Sequence, residues 1–124
     1  MILVDTSIWI EHLRASLETL VRLLDRGVVL AHPWVLGELA LGHLDQRREI
    51  IGLLGNLPQA AVATTEEVLT LIERHQLVGS GIGYVDAQLL AATRLTPDAG
   101  LWTRDSRLGA VAERLGCAVS PPRA

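Results

Sequence analysis

The sequence predicts an α/β fold: a three-layer α/β/α arrangement around a central parallel sheet of four to five strands. Short runs of branched apolar residues alternate with longer segments of helical periodicity, which is the pattern of a parallel sheet covered by helices. The runs are apolar throughout, as in strands buried on both faces. Two of them, Ile2 to Val4 and Leu101 to Trp102, stop just before an acid that opens a helical segment, Asp5 and Asp105. In open α/β sheets the ligand crevice lies outside the carboxyl ends of the strands, so acids placed there face a site.

The elements follow in order. After the strand ending at Asp5, Thr6 and Ser7 suit a helix start, and Ile8, Trp9, Ile10 and Leu13 form an apolar face with Glu11, His12 and Arg14 outside it. A second helix is expected from Ser16 to Arg26, where Leu17, Leu20, Val21 and Leu24 recur at helical spacing and Gly27 stops it. Val28 to Ala31 reads as a buried strand. His32 and Pro33 open a helix through Leu44, proline being suited to a first turn. Arg47 to Gly55 is a further helix, and Asn56, Leu57 and Pro58 make a turn into a strand at Gln59 to Ala63. Thr64 with Glu67 is a capping box for a helix running to about His75. The glycine-rich loop from Gly79 to Gly83 has neither a dinucleotide nor a phosphate-loop pattern and reads as a hinge before a helix from Tyr84 to Leu95. Pro97, Asp98 and Gly100 turn the chain into the strand at Leu101 and Trp102. A helix from Ser106 to Leu115 and a short strand at Ala118 and Val119 close a single domain over residues 1–120, with a loose tail at 121–124.

Composition sets outer bounds. A chain of 124 residues with 49% hydrophobic content can bury one core of its own. Cys117 has no partner for a disulfide, and Asp5 interrupts the apolar opening, so a signal peptide is not expected and a cytoplasmic setting is. No apolar stretch approaches the roughly 18 residues that span a bilayer. All 11 basic residues are arginine, against 14 acids, for a net charge of −3. The absence of lysine counts against a P-loop and against phosphoaspartate chemistry. With four acids set aside as metal ligands, 10 remain against 11 arginines, so the balance does not oppose a polyanionic substrate. Arginine is the better bidentate phosphate binder, although an all-arginine set is explained equally well by genomic base composition.

Most acids fall on solvated helix faces or near ends; Asp5, Glu38, Asp86 and Asp105 do not. Glu38 has Trp34, Val35, Leu41 and Gly42 as helical neighbours, and Asp86 has Ile82, Gly83, Leu89 and Leu90. Both are therefore expected on apolar or small-residue faces, where a carboxylate costs desolvation. Gathered together the four repel one another unless a divalent cation stands among them. Oxygen-only ligands favour Mg²⁺ or Mn²⁺, and such an ion activates water for attack on a phosphodiester. Taken singly, Asp5 and Asp105 read as helix caps, and Glu38 and Asp86 as partners of buried arginines such as Arg94 or Arg104 or as side chains that snorkel to solvent. His12, His32, His43 and His75 show no paired ligand spacing and are expected at the surface or an interface, while Trp9, Trp34 and Trp102 fall on apolar faces and are expected in the core and not as base-stacking platforms.

Val4-Asp5-Thr6-Ser7-Ile8-Trp9-Ile10, Gly37-Glu38-Leu39, Gly83-Tyr84-Val85-Asp86-Ala87-Gln88-Leu89-Leu90-Ala91 and Leu101-Trp102-Thr103-Arg104-Asp105 together resemble PIN-domain proteins, and more narrowly the VapC toxins of bacterial toxin and antitoxin pairs. The similarity runs over nearly the whole chain in order and spacing. It implies a Mg²⁺- or Mn²⁺-dependent endoribonuclease of PIN-like fold whose acidic quartet is Asp5, Glu38, Asp86 and Asp105. Ser7 matches a hydroxyl residue that helps hold the first acid, and Thr103 the polar residue before the last. A homodimer and a cognate antitoxin that lays a peptide over the active site are implied as well. On this reading Asp5 and Asp86 hold the metal directly, Glu38 and Asp105 act through water or a second ion, and Arg104 contacts substrate phosphate. Asp98 is a further acid near the last motif, in a setting that favours a turn. Single-stranded loops are the expected RNA targets. The alternative is a PIN-fold module that binds RNA or protein without cutting.

Overall fold

The computed structural model of the chain describes residues 1–121. Ile2, Leu3 and Val4 form β1 (Ile2–Val4), the central strand, with β2 (Val29–Leu30) on one side and β3 (Gly100–Trp102) on the other, all parallel. Parallel neighbours require crossovers. The first is made by α1 (Thr6–Arg14) and α2 (Glu18–Asp25), and the second by α3 (Pro33–Ala40), α4 (Arg47–Asn56), α5 (Thr65–Arg74) and α6 (Tyr84–Leu95). Helix α7 (Ser106–Arg114) follows β3. The register pairs Leu3 with Leu30 and Leu101, and Val4 with Trp102. These side chains join Ile8, Trp9, Leu20, Leu89, Leu90 and Leu108 in one buried core. Helix α6 packs on β3 and α5, and α1 packs on α3.

The sheet has three strands among the described residues, not four to five. Each of the two other expected strands contributes one parallel bridge, Ala31 with Gln59 and Leu101 with Ala118. At the first, Pro58 has no N–H to give, Ala60 donates to the carbonyl of Ala31, and the next N–H, from Ala61, is drawn away to Thr96 Oγ1 at 2.9 Å. The second runs close to its neighbour: a Cβ on Gly100 would stand 2.8 Å from Val119 Cβ, so this approach requires glycine.

Two helices differ in extent from expectation. Helix α2 begins at Glu18 because the N–H of Leu17 donates to His12 Nδ1 at 3.0 Å. Helix α3 stops at Ala40, four residues before Leu44; Gly42 N–H turns back to the carbonyl of Leu39, and Arg47 Nε donates to the carbonyl of Ala40 at 2.9 Å. The capping box at Thr64 and Glu67 forms with both hydrogen bonds. Gly79 and Gly81 take left-handed φ angles of +76° and +87°, which explains their placement in the loop before α6. Of the expected tail, residues 122–124 lie outside the described residues. No helix among the described residues is long and apolar enough to cross a membrane.

Candidate active site

Asp5 ends β1 and caps α1. It is 6% exposed, and its carboxylate is held on both oxygens. Oδ1 accepts the N–H of Thr6 at 2.7 Å; Oδ2 accepts the hydroxyls of Ser7 at 2.8 Å and Thr103 at 2.6 Å. An ionised carboxylate offers about four acceptor positions, so one remains open. The hydroxyls that hold it are themselves fixed. Ser7 Oγ accepts the N–H of Arg104 at 3.0 Å, and Thr103 Oγ1 accepts that of Asp105 at 3.0 Å. A hydroxyl relay thus ties the end of β1 to the end of β3. Asp105 caps α7 through Leu108 N–H at 2.9 Å and is exposed. Both strand-end acids are therefore helix caps, as the plainer reading held, and each keeps a carboxylate oxygen on the same edge of the sheet.

The helix-borne acids reach that edge from either side. Glu38 Oε1 accepts Thr6 Oγ1–H at 2.6 Å, which brings α3 to the first turn of α1. Glu38 is exposed, contrary to the expectation of an apolar face. Only Val35 and Leu39 of α3 are buried, so its outer residues have no layer over them. Asp86 is half-buried at the start of α6, and its Oδ2 accepts the N–H of Gly83 at 3.0 Å. Its carboxyl titrates above the ordinary range: burial raises it most, the Gly83 N–H opposes the shift, and the charges of Asp5, Asp105 and Glu38 raise it further. Asp86 therefore feels the other three acids of the quartet.

No member of the quartet is ion-paired among the described residues, where the salt bridges are Arg22 with Glu18 and Arg104 with Glu11. Arg104 is thus engaged at 2.8 Å with Glu11 and lies over the Trp102 ring at 5.7 Å, while Arg94 donates to the carbonyl of Leu115. Neither arginine neutralises the acids, which removes the ion-pair alternative for Glu38 and Asp86. Among the described residues no three His, Cys, Asp or Glu side chains close around one point. By donor chemistry alone, oxygen-only carboxylates without cationic partners suit a hard cation that keeps part of its water shell and takes one or two carboxylates directly.

Asp98 is elsewhere. Its carbonyl accepts the amino-terminal N–H of Met1 at 3.0 Å, at the opposite edge of the sheet, and its φ of 57° marks a turn. Two further expectations are corrected. His32 is fully buried, its Nδ1 capping α3 by accepting the backbone N–H of Trp34 at 3.1 Å, and burial lowers its pKa. Trp9 and Trp102 are core residues, whereas Trp34 is 41% exposed and meets Tyr84 edge to face. Thr6 and Gly83 are the site residues that sequence reasoning missed. Both were legible only as a cap and a loop residue.

A three-stranded parallel sheet flanked by helices, with Asp5 and Asp105 at the carboxyl ends of two of its strands, defines an α/β domain with an acidic strand edge. No protein-family model matches the chain. It is 51% identical over 120 residues, 97% of each sequence, to proteins named Ribonuclease VapC32 in two strains of Mycobacterium tuberculosis. The chain belongs to the VapC family of PIN-domain toxins.

Proposed function

We propose that this chain is an endoribonuclease, the toxin of a toxin and antitoxin pair, that hydrolyses RNA phosphodiesters with Mg²⁺ or Mn²⁺ held at Asp5, Glu38, Asp86 and Asp105. One observation carries the reading: Thr6 and Thr103 tie Asp5, Glu38 and Asp105 to one strand edge, where α6 also brings Asp86, and no basic side chain among the described residues is paired with any of the four. The kinship with proteins named as ribonucleases supports it.

Bound there, the ion supplies an activated water and stabilises charge on the leaving oxygen. The chain does the rest. Ser7 and Thr103 fix the Asp5 carboxylate, Thr6 holds Glu38, and the Gly83 N–H orients Asp86. Asp5 and Asp86 would hold the ion directly, and Glu38 and Asp105, which are exposed, would complete the shell through water or a second ion. Arg104 contacts substrate phosphate. Its pair with Glu11 is about half exposed on both sides, at 51% and 43%, so exchanging that carboxylate for a phosphate costs little. A homodimer in the cytoplasm, neutralised by an antitoxin peptide across the site, completes the reading.

The test is incubation of antitoxin-free protein with total RNA and Mg²⁺ or Mn²⁺, mapping new ends beside an Asp86→Asn control. Discrete ends that vanish in the variant and with chelator are expected. Full activity in the variant overturns the quartet assignment, and the absence of both cleavage and a Mn²⁺-dependent rise in thermal stability favours a non-catalytic binding module.

A further inference from the structure

The two helices that carry Glu38 and Asp86 are joined at their amino ends by an exposed aromatic pair. Trp34 and Tyr84 are each 41% exposed, with ring centroids 6.1 Å apart and planes at 74°. The chain has only four aromatic residues besides histidine, and the other two, Trp9 and Trp102, are buried. Trp34 lies one turn before Glu38 on the same stripe of α3. Tyr84 follows Gly83, whose N–H holds the Asp86 carboxylate. Because α3 follows β2 and α6 leads into β3, the amino ends of both helices stand at the strand edge that carries the quartet. The rings are also held in place. Gln88, 3% exposed, donates from Nε2 to Tyr84 Oη at 3.1 Å, which fixes the Tyr84 ring. The backbone N–H of Trp34 is bound by the buried His32, which fixes the start of α3 from which the Trp34 ring projects.

We propose that Trp34 and Tyr84 form a corner that stacks an unpaired RNA base beside the scissile phosphate, making them substrate-positioning residues. The inference rests on the nuclease reading of the adjacent acids. Such a contact adds to what Arg104 and a bound cation supply: the chain as a whole carries −3 and has no large surplus of positive charge with which to hold a phosphate backbone. Stacking on an aromatic face does not depend on that charge, and it requires a base freed from a duplex. Near-perpendicular planes offer one ring as the platform and the other as a wall.

Two readouts test this. In the Asp86→Asn background with Mg²⁺, fluorescence anisotropy measures binding of a labelled, random-sequence single-stranded RNA pool of about 12 nucleotides and of the matching duplex. Trp34→Ala is expected to weaken single-strand binding about 5- to 100-fold, Trp34→Phe to retain most of it, and the duplex to bind poorly throughout. With Asp86 intact, Trp34→Ala is expected to raise KM by a similar factor while kcat stays within about twofold. Equal binding and equal KM for the Ala and Phe variants overturn the proposal and leave the nuclease reading standing. Loss of binding in Trp34→Ala while no variant cleaves any RNA supports the stacking corner and sinks the nuclease reading. No RNA binding by any variant, or a Trp34→Ala protein that changes oligomeric state with RNA binding untouched, assigns the aromatic pair to a protein interface and overturns the proposal.

Discussion

The two edges of the sheet handle charge in opposite ways. At the edge away from the quartet, cations rest on main-chain carbonyls: Arg94 on Leu115 at 3.2 Å, Arg114 on His75 at 3.0 Å, and the amino terminus on Asp98 at 3.0 Å. These carbonyls are unsatisfied groups at helix ends or turns, and they carry partial negative charge. The arginines there need no carboxylate. At the quartet edge the carboxylates also receive hydrogen bonds, from Thr6, Ser7, Thr103, Gly83 and Leu108. Those donors orient the acids without supplying a full positive charge. Unpaired charge is therefore structural at one edge and an open demand at the other.

The largest expected effect comes from removing one charge at the demanding edge. Asp86→Asn should lower RNA cleavage at least about 100-fold, more than the 10- to 100-fold typical of losing an outer partner of a metal ligand, with the circular dichroism spectrum unchanged. Thr103→Val comes next. It deletes one hydroxyl that donates to Asp5 and accepts from Asp105, so urea unfolding should show a loss of about 1–3 kcal/mol, accompanied by about 10- to 100-fold slower cleavage.

A smaller effect tests the repulsion itself. Asp86 binds its proton more tightly folded than unfolded, so without metal its contribution to stability falls as pH rises from the ordinary 3.8 through its raised value. Metal-free Asp86→Asn should thus melt on the order of a few degrees above the parent at pH 7, with the gap closing in acid and reversing when Mn²⁺ is added. Arg94→Gln, at the satisfied edge, should cost no more than about 1 kcal/mol and leave cleavage unchanged. A large loss of activity in that variant would erase the distinction between the edges.

Local signals made most of the fold legible. The run from Ile2 to Val4, the capping box at Thr64, and the periodicity of α5 and α6 each encode their element within a few residues. The strand-end acids were legible for the same reason. Periodicity places Glu38 on an apolar or small-residue face but cannot say whether another layer covers that face; Leu41, at 90% exposed, shows that none does. Trp34 was misplaced in the core by the same gap. His32 escaped because an imidazole cap is outside the usual Ser, Thr, Asp and Asn set. The expected strand at Gln59 to Ala63 shrinks to one bridge because of a proline and a competing threonine hydroxyl, which are details of partner choice and not of propensity.

The hydroxyl relay has a consequence for how the protein is made. Thr103 reaches Asp5 across a sequence separation of 98 residues, and β1, first in the chain, is flanked by a strand that emerges near its end. During synthesis the first acid must wait for the fourth. A nascent chain that has not yet exposed Thr103 and Asp105 carries neither the grip on Asp5 nor the last carboxylate, so assembly of the site is deferred until translation is nearly complete. Contacts of such long range also slow folding as a whole, because the closure entropy must be met before they form.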